Sequence, residues 1–287
     1  MTLGCIYLQS TEILSKISSC AKLDAQLIIS HVCGFTPSEF VLKAKCEISE
    51  DQCEKIKSLV RERSLGIPVA YVTGTKAFYR DIFFTDSNVL IPQNDTETLV
   101  ELAVKSSRNL KSKSLDVLDL CAGTGCIGIS FANEISPMFN RINLYLSDIS
   151  KHAYSCFSRN VQLVHGENVK TFLCQGNLFE PVENIGFDFI LTNPPYIRTD
   201  VIPTLDSEVQ AEPHLALDGG PDGLTLIRKI VEKSPAYIKK GGYLIMETGY
   251  DQGNDVAMLF RQSGFENVEI TKDLAGLDRV VSGRRNF

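Results

Sequence analysis

At 287 residues the chain has room for one large domain, or for a medium domain with a small one. Its 44% hydrophobic and 22% charged content is that of an ordinary globular protein with a sizeable core, which excludes a disordered tail or a fibre. No stretch of about 18 residues is free of charge, so a membrane-spanning helix is excluded, and a net charge of −6 argues against direct nucleic-acid binding.

The first residues carry no basic start, no apolar run and no small-residue cleavage site, which predicts a cytoplasmic protein. Nine cysteines (Cys5, Cys20, Cys33, Cys46, Cys53, Cys121, Cys126, Cys156 and Cys174) include no C-x-x-C pair, and the four histidines are scattered. They predict buried thiols in a reducing compartment, with no disulfide framework and no metal site.

From Thr11 to about Leu65 apolar residues recur at helical spacing, as in Ile13, Leu14, Ile17, Leu23, Leu27, Ile28, Ile56, Leu59 and Val60. Ser49 ahead of Glu50, Asp51 and Gln52 reads as a helix cap. The helical pattern stops at Gly66-Ile-Pro68. Residues 71–91 then turn aromatic and β-branched around an Asp86-Ser-Asn88 turn, as expected of a β-hairpin between two domains.

After Pro92, short apolar runs alternate with helical stretches. The predicted strands are Leu115–Leu120, Ile142–Ser147, Val169–Cys174, Phe187–Thr192, Tyr243–Glu247, Val268–Thr271 and Arg279–Ser282. That alternation predicts an α/β fold, an open and mostly parallel sheet with helices on both faces. The stretch from Ile197 to Gly223 is long for a connection and is expected to lie over the site. The resulting division is a helical unit at 1–74, a hairpin linker at 75–92 and a catalytic unit at 93–287.

Asp119-Leu-Cys-Ala-Gly123-Thr-Gly125-Cys-Ile-Gly128 follows a predicted strand and opens a helix. Glycines there let the backbone approach a ligand, and the helix start offers free N–H groups. Asp148 ends the next strand, where a carboxylate can accept hydrogen bonds from both ribose hydroxyls. An NAD dehydrogenase or an S-adenosylmethionine methyltransferase would present these features alike.

What separates them is Asn193-Pro-Pro-Tyr196, at the carboxyl end of the fourth strand. The Asn193 side-chain oxygen and the Pro194 carbonyl can each accept one hydrogen of a planar NH2 group, while Tyr196 stacks on that plane. Such a nitrogen is a poor nucleophile because its lone pair is delocalised. Two fixed acceptors can turn it toward a sulfonium methyl without a strong base.

With these residues the chain resembles the protein-(glutamine-N5) methyltransferases that modify peptide chain release factors. The likeness includes Gly66-Ile-Pro68, Tyr71, Gly74, Val89-Leu-Ile-Pro92, Asp95-Thr-Glu97, the glycine loop, Asp148, Gly176-Asn-Leu-Phe179, Asn193-Pro-Pro-Tyr-Ile197, Glu212-Pro213, Asp222-Gly-Leu224, Glu247 and Gln252. It implies a Rossmann-like class I methyltransferase with a seven-stranded sheet and a helical N-terminal domain that holds the factor. The activity implied is transfer of a methyl group from S-adenosylmethionine, leaving S-adenosylhomocysteine, to the Gln of a Gly-Gly-Gln loop.

By position, the resemblance implies that Cys121, Ala122, Gly123, Thr124 and Gly125 wrap the methionine end of the cofactor. Asp148 would hold the ribose, and Asn177 with Leu178 the adenine. Asn193, also at the cofactor, would bind the substrate amide with Pro194, Pro195 and Tyr196, the catalytic set being Asn193, Pro194 and Tyr196. Three positions depart from the family pattern: Gln93-Asn94 stands where Arg-Pro is common, Cys121 replaces the first loop glycine, and Asn177 replaces Asp. A ribosomal-protein glutamine methyltransferase, a nucleic-acid amino-group (adenine N6 type) methyltransferase and a non-catalytic binding module are the competing readings. The acidic balance weighs against the nucleic-acid enzyme, and the intact glycines, Asp148 and Asn193 weigh against the binding module.

Overall fold

Side-chain caps and a run of apolar seams build the N-terminal helices. Thr2 accepts from the Cys5 N–H and starts α1 (Leu3–Leu14), followed by α2 (Ala21–Cys33) and α3 (Pro37–Leu42). Ser49 caps α4 (Glu50–Ser64) through a reciprocal box with Gln52, and α5 (Val69–Thr73) ends at Gly74 in the left-handed conformation. The structure, a computed structural model, describes residues 1–286. Phe287, the last residue of the expected catalytic unit, lies outside them.

The chain divides into two units: Met1–Thr75 with Asp206–Ala211, and Lys76–Leu205 with the described residues from Glu212 on. The helical core joins Leu3, Ile6 and Leu14 of α1 to Ala25, Ile28 and Ile29 of α2 and Ile56, Leu59 and Val60 of α4. Three expectations change here. The first helix begins at Leu3 rather than near Thr11, because Leu3 and Ile6 already belong to the seam. Ile13, Ile17, Leu23 and Leu27 flank the seam and stay exposed, although their spacing is helical. Cys5, Cys20 and Cys46 are exposed too, while Cys53, Cys126 and Cys156 are buried.

Arg63 is buried at the end of α4, where its Nε donates to Asp24 at 2.9 Å and its Nη1 to the Ile67 carbonyl at 3.3 Å. Its Nη2 pairs with Glu208. A buried guanidinium is tolerated because carboxylates and a carbonyl meet its donors.

The hairpin is shorter than its sequence suggested. Residues 71–73 complete α5, and only β1 (Thr75–Phe78) and β2 (Asp81–Phe84) pair. The Asp86 side chain then caps the turn, accepting from the Asn88 N–H at 2.8 Å.

Beyond α6 (Glu97–Ser107), strands and helices alternate: β3 (Ser114–Leu120), α7 (Cys126–Ile135), β4 (Arg141–Asp148), α8 (Lys151–Asn160), β5 (Val169–Gln175) and β6 (Phe187–Thr192). The short helices α9 (Ser207–Gln210) and α10 (His214–Leu217) lie in the long connection, before α11 (Thr225–Lys233), β7 (Ile238–Glu247), α12 (Gly253–Gln262), β8 (Glu266–Lys272) and β9 (Asp278–Arg284).

The seven strands run in the order β5-β4-β3-β6-β7-β9-β8, parallel except for β9 against its two neighbours. Side-chain alternation makes the layers. Leu115 and Val117 of β3 and Phe189 and Leu191 of β6 join α6 and α7 in one core, whereas Leu118, Leu120, Ile190, Leu244 and Met246 join α11 and α12 in the other. The strand order reverses between β3 and β6. Their carboxyl ends therefore open a crevice at the switch point, where open α/β sheets receive ligands.

Candidate active site

At the end of β3 the chain makes a tight loop whose residues alternate in handedness: Cys121, Gly123 and Gly125 have φ of 61°, 56° and 78°. Two of these positions use glycine. Cys121 adopts the same left-handed region with a side chain, at a cost of about 1 kcal/mol. The loop is pinned by the Ala122 N–H on the Ser147 carbonyl at 3.0 Å and the Gly125 N–H on the Ala122 carbonyl at 2.7 Å.

Asp119 lies fully buried beneath the loop, with Oδ2 accepting the Gly128 N–H at 2.8 Å. A Cβ on Gly128 would stand 2.8 Å from the Asp119 Cβ, so this contact requires glycine. Burial drives the Asp119 carboxyl well above its ordinary value; the Gly128 N–H opposes the shift and the Asp148 charge adds to it.

The crevice holds a cavity of about 350 Å3. Cys121, Ala122, Gly123, Thr124, Asp148, Asn177, Leu178, Asn193 and Pro195 line it, joined by Val89–Pro92 from the linker, by Gln93 directly after it and by Leu215, Ala216 and Gly219 from the long connection. Gln93, one of the departures from the family pattern, is thus at the wall. Gly125 is not: it starts α7, and a Cβ there would press on Phe157, Ile129 and Leu146 in the core. Pro194 is buried, and Tyr196 is also outside the lining.

Asp148 ends β4 with each oxygen engaged by backbone, Oδ2 by the Gly123 N–H at 3.0 Å and Oδ1 by the Ser150 N–H at 2.9 Å. A carboxylate oxygen has a second lone pair, so both remain able to accept from a ligand. Burial raises its carboxyl above the ordinary value, while the N–H groups of Ser150, Gly123 and Ile149 pull it back. Leu178 is buried at the wall with φ of 51°. Asn177 is exposed, and its amide donates to Glu180 at 3.3 Å.

Across the crevice, the Asn193 Nδ2 donates to the Thr96 Oγ1 at 3.4 Å. Thr96 opens α6 and is itself buried. Behind it stands Glu247 at the end of β7, fully buried, with Oε1 accepting the Tyr196 hydroxyl at 3.1 Å. Burial pushes the Glu247 carboxyl up to about 7 against the Thr96 hydroxyl, the Arg279 charge and the Tyr196 hydroxyl, which lower it; Asp95 adds to the rise. The Tyr196 carbonyl accepts from Gln252 Nε2 at 2.9 Å, which fixes the strand exit.

Glu212 supplies a further tie. Its Oε2 accepts the Ile91 N–H at 2.8 Å, joining the long connection to the linker that lines the cavity, and burial raises it to about 7. Sequence reasoning did not place Thr96, Glu247 or Glu212 in the site. The available signal was a carboxylate closing an otherwise apolar strand, Tyr243-Leu-Ile-Met-Glu247, at the edge where ligands bind.

Residues 7–74 match the family model described as PrmC N-terminal domain, and residues 96–212 match the methyltransferase small domain. The release factor glutamine methyltransferase of Aquifex aeolicus (strain VF5) is 34% identical over 274 residues, covering 96% of this chain and 95% of that one. Its counterpart from Thermodesulfovibrio yellowstonii is 35% identical over 271 residues, covering 94% of each chain. Among solved structures, the hMettl16 catalytic domain in complex with MAT2A 3'UTR hairpin 1 shares the fold, with a TM-score of 0.56 at 11% identity over 90% of this chain and 91% of that one. Methyltransferases of this class use S-adenosylmethionine, and among the described residues no helix is long and apolar enough to cross a membrane. With this identity sustained over nearly its whole length, the chain belongs to the release factor glutamine methyltransferase family.

Proposed function

We propose that this protein acts in the cytoplasm, moving a methyl group from S-adenosylmethionine to the side-chain amide nitrogen of the Gln in the Gly-Gly-Gln loop of peptide chain release factors. The observation that carries this reading is Asn193. It stands at the cavity wall with its amide nitrogen spent on Thr96, which leaves Oδ1 to accept a substrate hydrogen.

The cavity suits the cofactor by size and by donor set. A volume of about 350 Å3 lies within the range of small-molecule sites. Asp148 offers two oxygens for ribose hydroxyls, and the wall near Leu178 and Ile149 is apolar enough for a purine, with the Asn177 oxygen able to accept from an amino group. Cys121 to Thr124 present backbone to the methionine end. When bound, S-adenosylmethionine supplies an electrophilic sulfonium methyl.

The chain's own part is orientation. The Asn193 oxygen and the Pro194 carbonyl accept the two amide hydrogens and turn the nitrogen lone pair out of conjugation, and Pro195 bounds the slot. Tyr196 contributes its ring at the strand exit while its hydroxyl serves Glu247. We assign the helical residues 1–74 to holding the release factor, residues 75–92 to the hairpin link and residues 93–287 to catalysis. Exposed Leu8, Val41 and Leu42 give the helical unit apolar surface for such a role.

The test is incubation of the protein with labelled S-adenosylmethionine and a release factor, with the labelled residue mapped by mass spectrometry. Label on the Gly-Gly-Gln glutamine is expected. Label confined to a ribosomal protein or to nucleic acid would overturn the assignment.

A further inference from the structure

We propose that Glu208 is a positioning residue: docked on Arg63, it holds the connection between β6 and α11 so that the returning leg of that connection keeps its place at the cavity wall. The inference rests on the function proposed above, since that wall bounds the site assigned to methyl transfer.

The connection leaves β6 through Asn193-Pro-Pro-Tyr196 and then comes back onto it. The Ile197 N–H donates to the Leu217 carbonyl at 3.0 Å, and the Ile197 carbonyl accepts the Gly219 N–H at 2.8 Å. The Thr199 hydroxyl closes the neck further, donating to Asp218 at 2.6 Å. A Cβ on Gly219 would stand 2.8 Å from the Tyr196 Cα, so the returning backbone lies directly against the motif. On its way back the chain sets Leu215, Ala216 and Gly219 at the cavity wall. Leu215 is 61% exposed there, an apolar side chain open to whatever enters.

The middle of the connection, Asp206–Ala211, belongs instead to the helical unit. Charge arithmetic shows what Glu208 does in it. Arg63 and Asp24 form a one-to-one pair with side chains only 2% and 7% exposed, so the buried charge is balanced without Glu208. The Glu208 side chain is 45% exposed and would be well solvated on its own. Its bond to Arg63 therefore adds little to the helical core and decides where α9 is held. A guanidinium suits this task, because its planar fork presents Nε to Asp24 and Nη2 to Glu208 in fixed directions. The next carboxylate along the chain, Glu212, accepts the Ile91 N–H at 2.8 Å, so the leg is held on both sides of Ala211. Anchors this close act together, each fixing the direction in which the other is presented.

The experiment compares the wild type with Glu208→Ala, Glu208→Gln and Glu208→Lys by amide hydrogen exchange and by kcat and KM for a release factor. The reporters are the Ala216, Asp218 and Gly219 amides, which donate to the Pro213, His214 and Ile197 carbonyls. In Glu208→Ala they should exchange about 10-fold faster and kcat/KM should fall about 10-fold, with the amides of α2 and α4 as protected as in the wild type. Glu208→Gln keeps an oxygen in reach of Arg63 and should recover part of the loss. Glu208→Lys sets two cations together and should lose more.

Unchanged exchange at the reporters or wild-type kcat/KM in Glu208→Ala would overturn the proposal. So would faster exchange shared equally by α2 and α4, because Glu208 would then only stabilise the helical core. If the wild type methylates no release factor, the functional reading fails, and the exchange rates still decide whether Glu208 holds the wall.

Discussion

Strands β3, β6 and β7 each carry a polar side chain at both ends, and the two ends are built on opposite electrostatic plans. At the amino edge, Asp116 of β3 and Asp188 of β6 share Lys239 of β7, at 2.6 and 2.7 Å. Burial alone would raise the Asp116 carboxyl, but Lys239 and the Asn143 amide outweigh it and hold the group below its ordinary value. At the carboxyl edge, Asp119, Asp148 and Glu247 are all raised by burial, and backbone N–H groups, hydroxyls and one shared arginine only partly offset it. Asp116 and Asp119 lie in the same strand, so residue type does not decide the difference. Whether the fold supplies a cation does. One edge is paired by a cation; the other holds carboxylates raised by burial, and of these Asp148 lines the cavity.

The largest break of this contrast is Asn193→Ala. It removes the one side-chain acceptor assigned to the substrate, and single-turnover methylation should slow about 10²-fold or more while S-adenosylhomocysteine affinity stays close to wild type. Near-normal turnover would reduce the motif to a rigid turn. Next comes Asp148→Ala, which should weaken cofactor binding about 10- to 100-fold, the scale of hydrogen bonds to a charged group. Since Asp148 also accepts from Gly123 and Ser150, Asp148→Asn is the companion that keeps one acceptor. Calorimetry showing both variants at wild-type affinity would remove Asp148 from the cofactor site.

One side of this contrast was legible in the sequence. The apolar runs of β3, β4 and β6 identified the sheet, and Asp119 followed by Asp148 marked its carboxyl edge, because strand ends and the turn after them are local features; the Asp116–Lys239–Asp188 cluster went unread. Gly123 and Gly125 show where local reading stops. One frees backbone at the cavity and the other fits a helix start against Phe157, and a glycine letter does not tell these uses apart. Thr96 and Asn193 meet only when α6 packs on β6, so their contact has no local signature. β7 also begins earlier than Tyr243, because a register shift around Lys239–Gly242 carries the strand past two lysines and two glycines that look like a turn. That same irregular stretch delivers Lys239 to its two aspartates.

Lys239→Met tests the paired edge. Removing the cation leaves two carboxylates side by side, yet Lys239 is 39% exposed and solvent screens the pair, so the cost should be about 1 kcal/mol, or roughly 2 to 4 °C in Tm. The sign in pH follows from the shifts. Asp116 is lowered, so its contribution is present above 3.8 and fades as pH falls through its folded value; Lys239 is raised, so its part is lost only above 10.5, as pH climbs through its own. The destabilisation should therefore be flat across neutral pH and shrink in acid, with kcat unchanged. A fall in kcat would mean the two edges are coupled.

The smallest expected effect belongs to Tyr196→Phe, and it is the most informative about the unpaired edge. The ring remains packed on the core, and the Tyr196 carbonyl keeps its bond to Gln252. Only the hydroxyl donor to Glu247 is lost. A buried carboxylate held ionised would register that loss in full, at roughly 1.5 to 3 kcal/mol. Glu247, at about 7, can instead keep its proton, which limits the cost. Because its folded value lies above the ordinary 4.5, ionisation of Glu247 opposes folding, and stability declines from there up to the folded value and then levels. Losing a donor raises that folded value further. Wild type and variant should therefore run in parallel in Tm up to about pH 7, after which the variant goes on losing stability by a few degrees. A loss that is constant from pH 6 to about 8.5 would show that the hydroxyl only packs and does not tune the carboxylate behind Asn193.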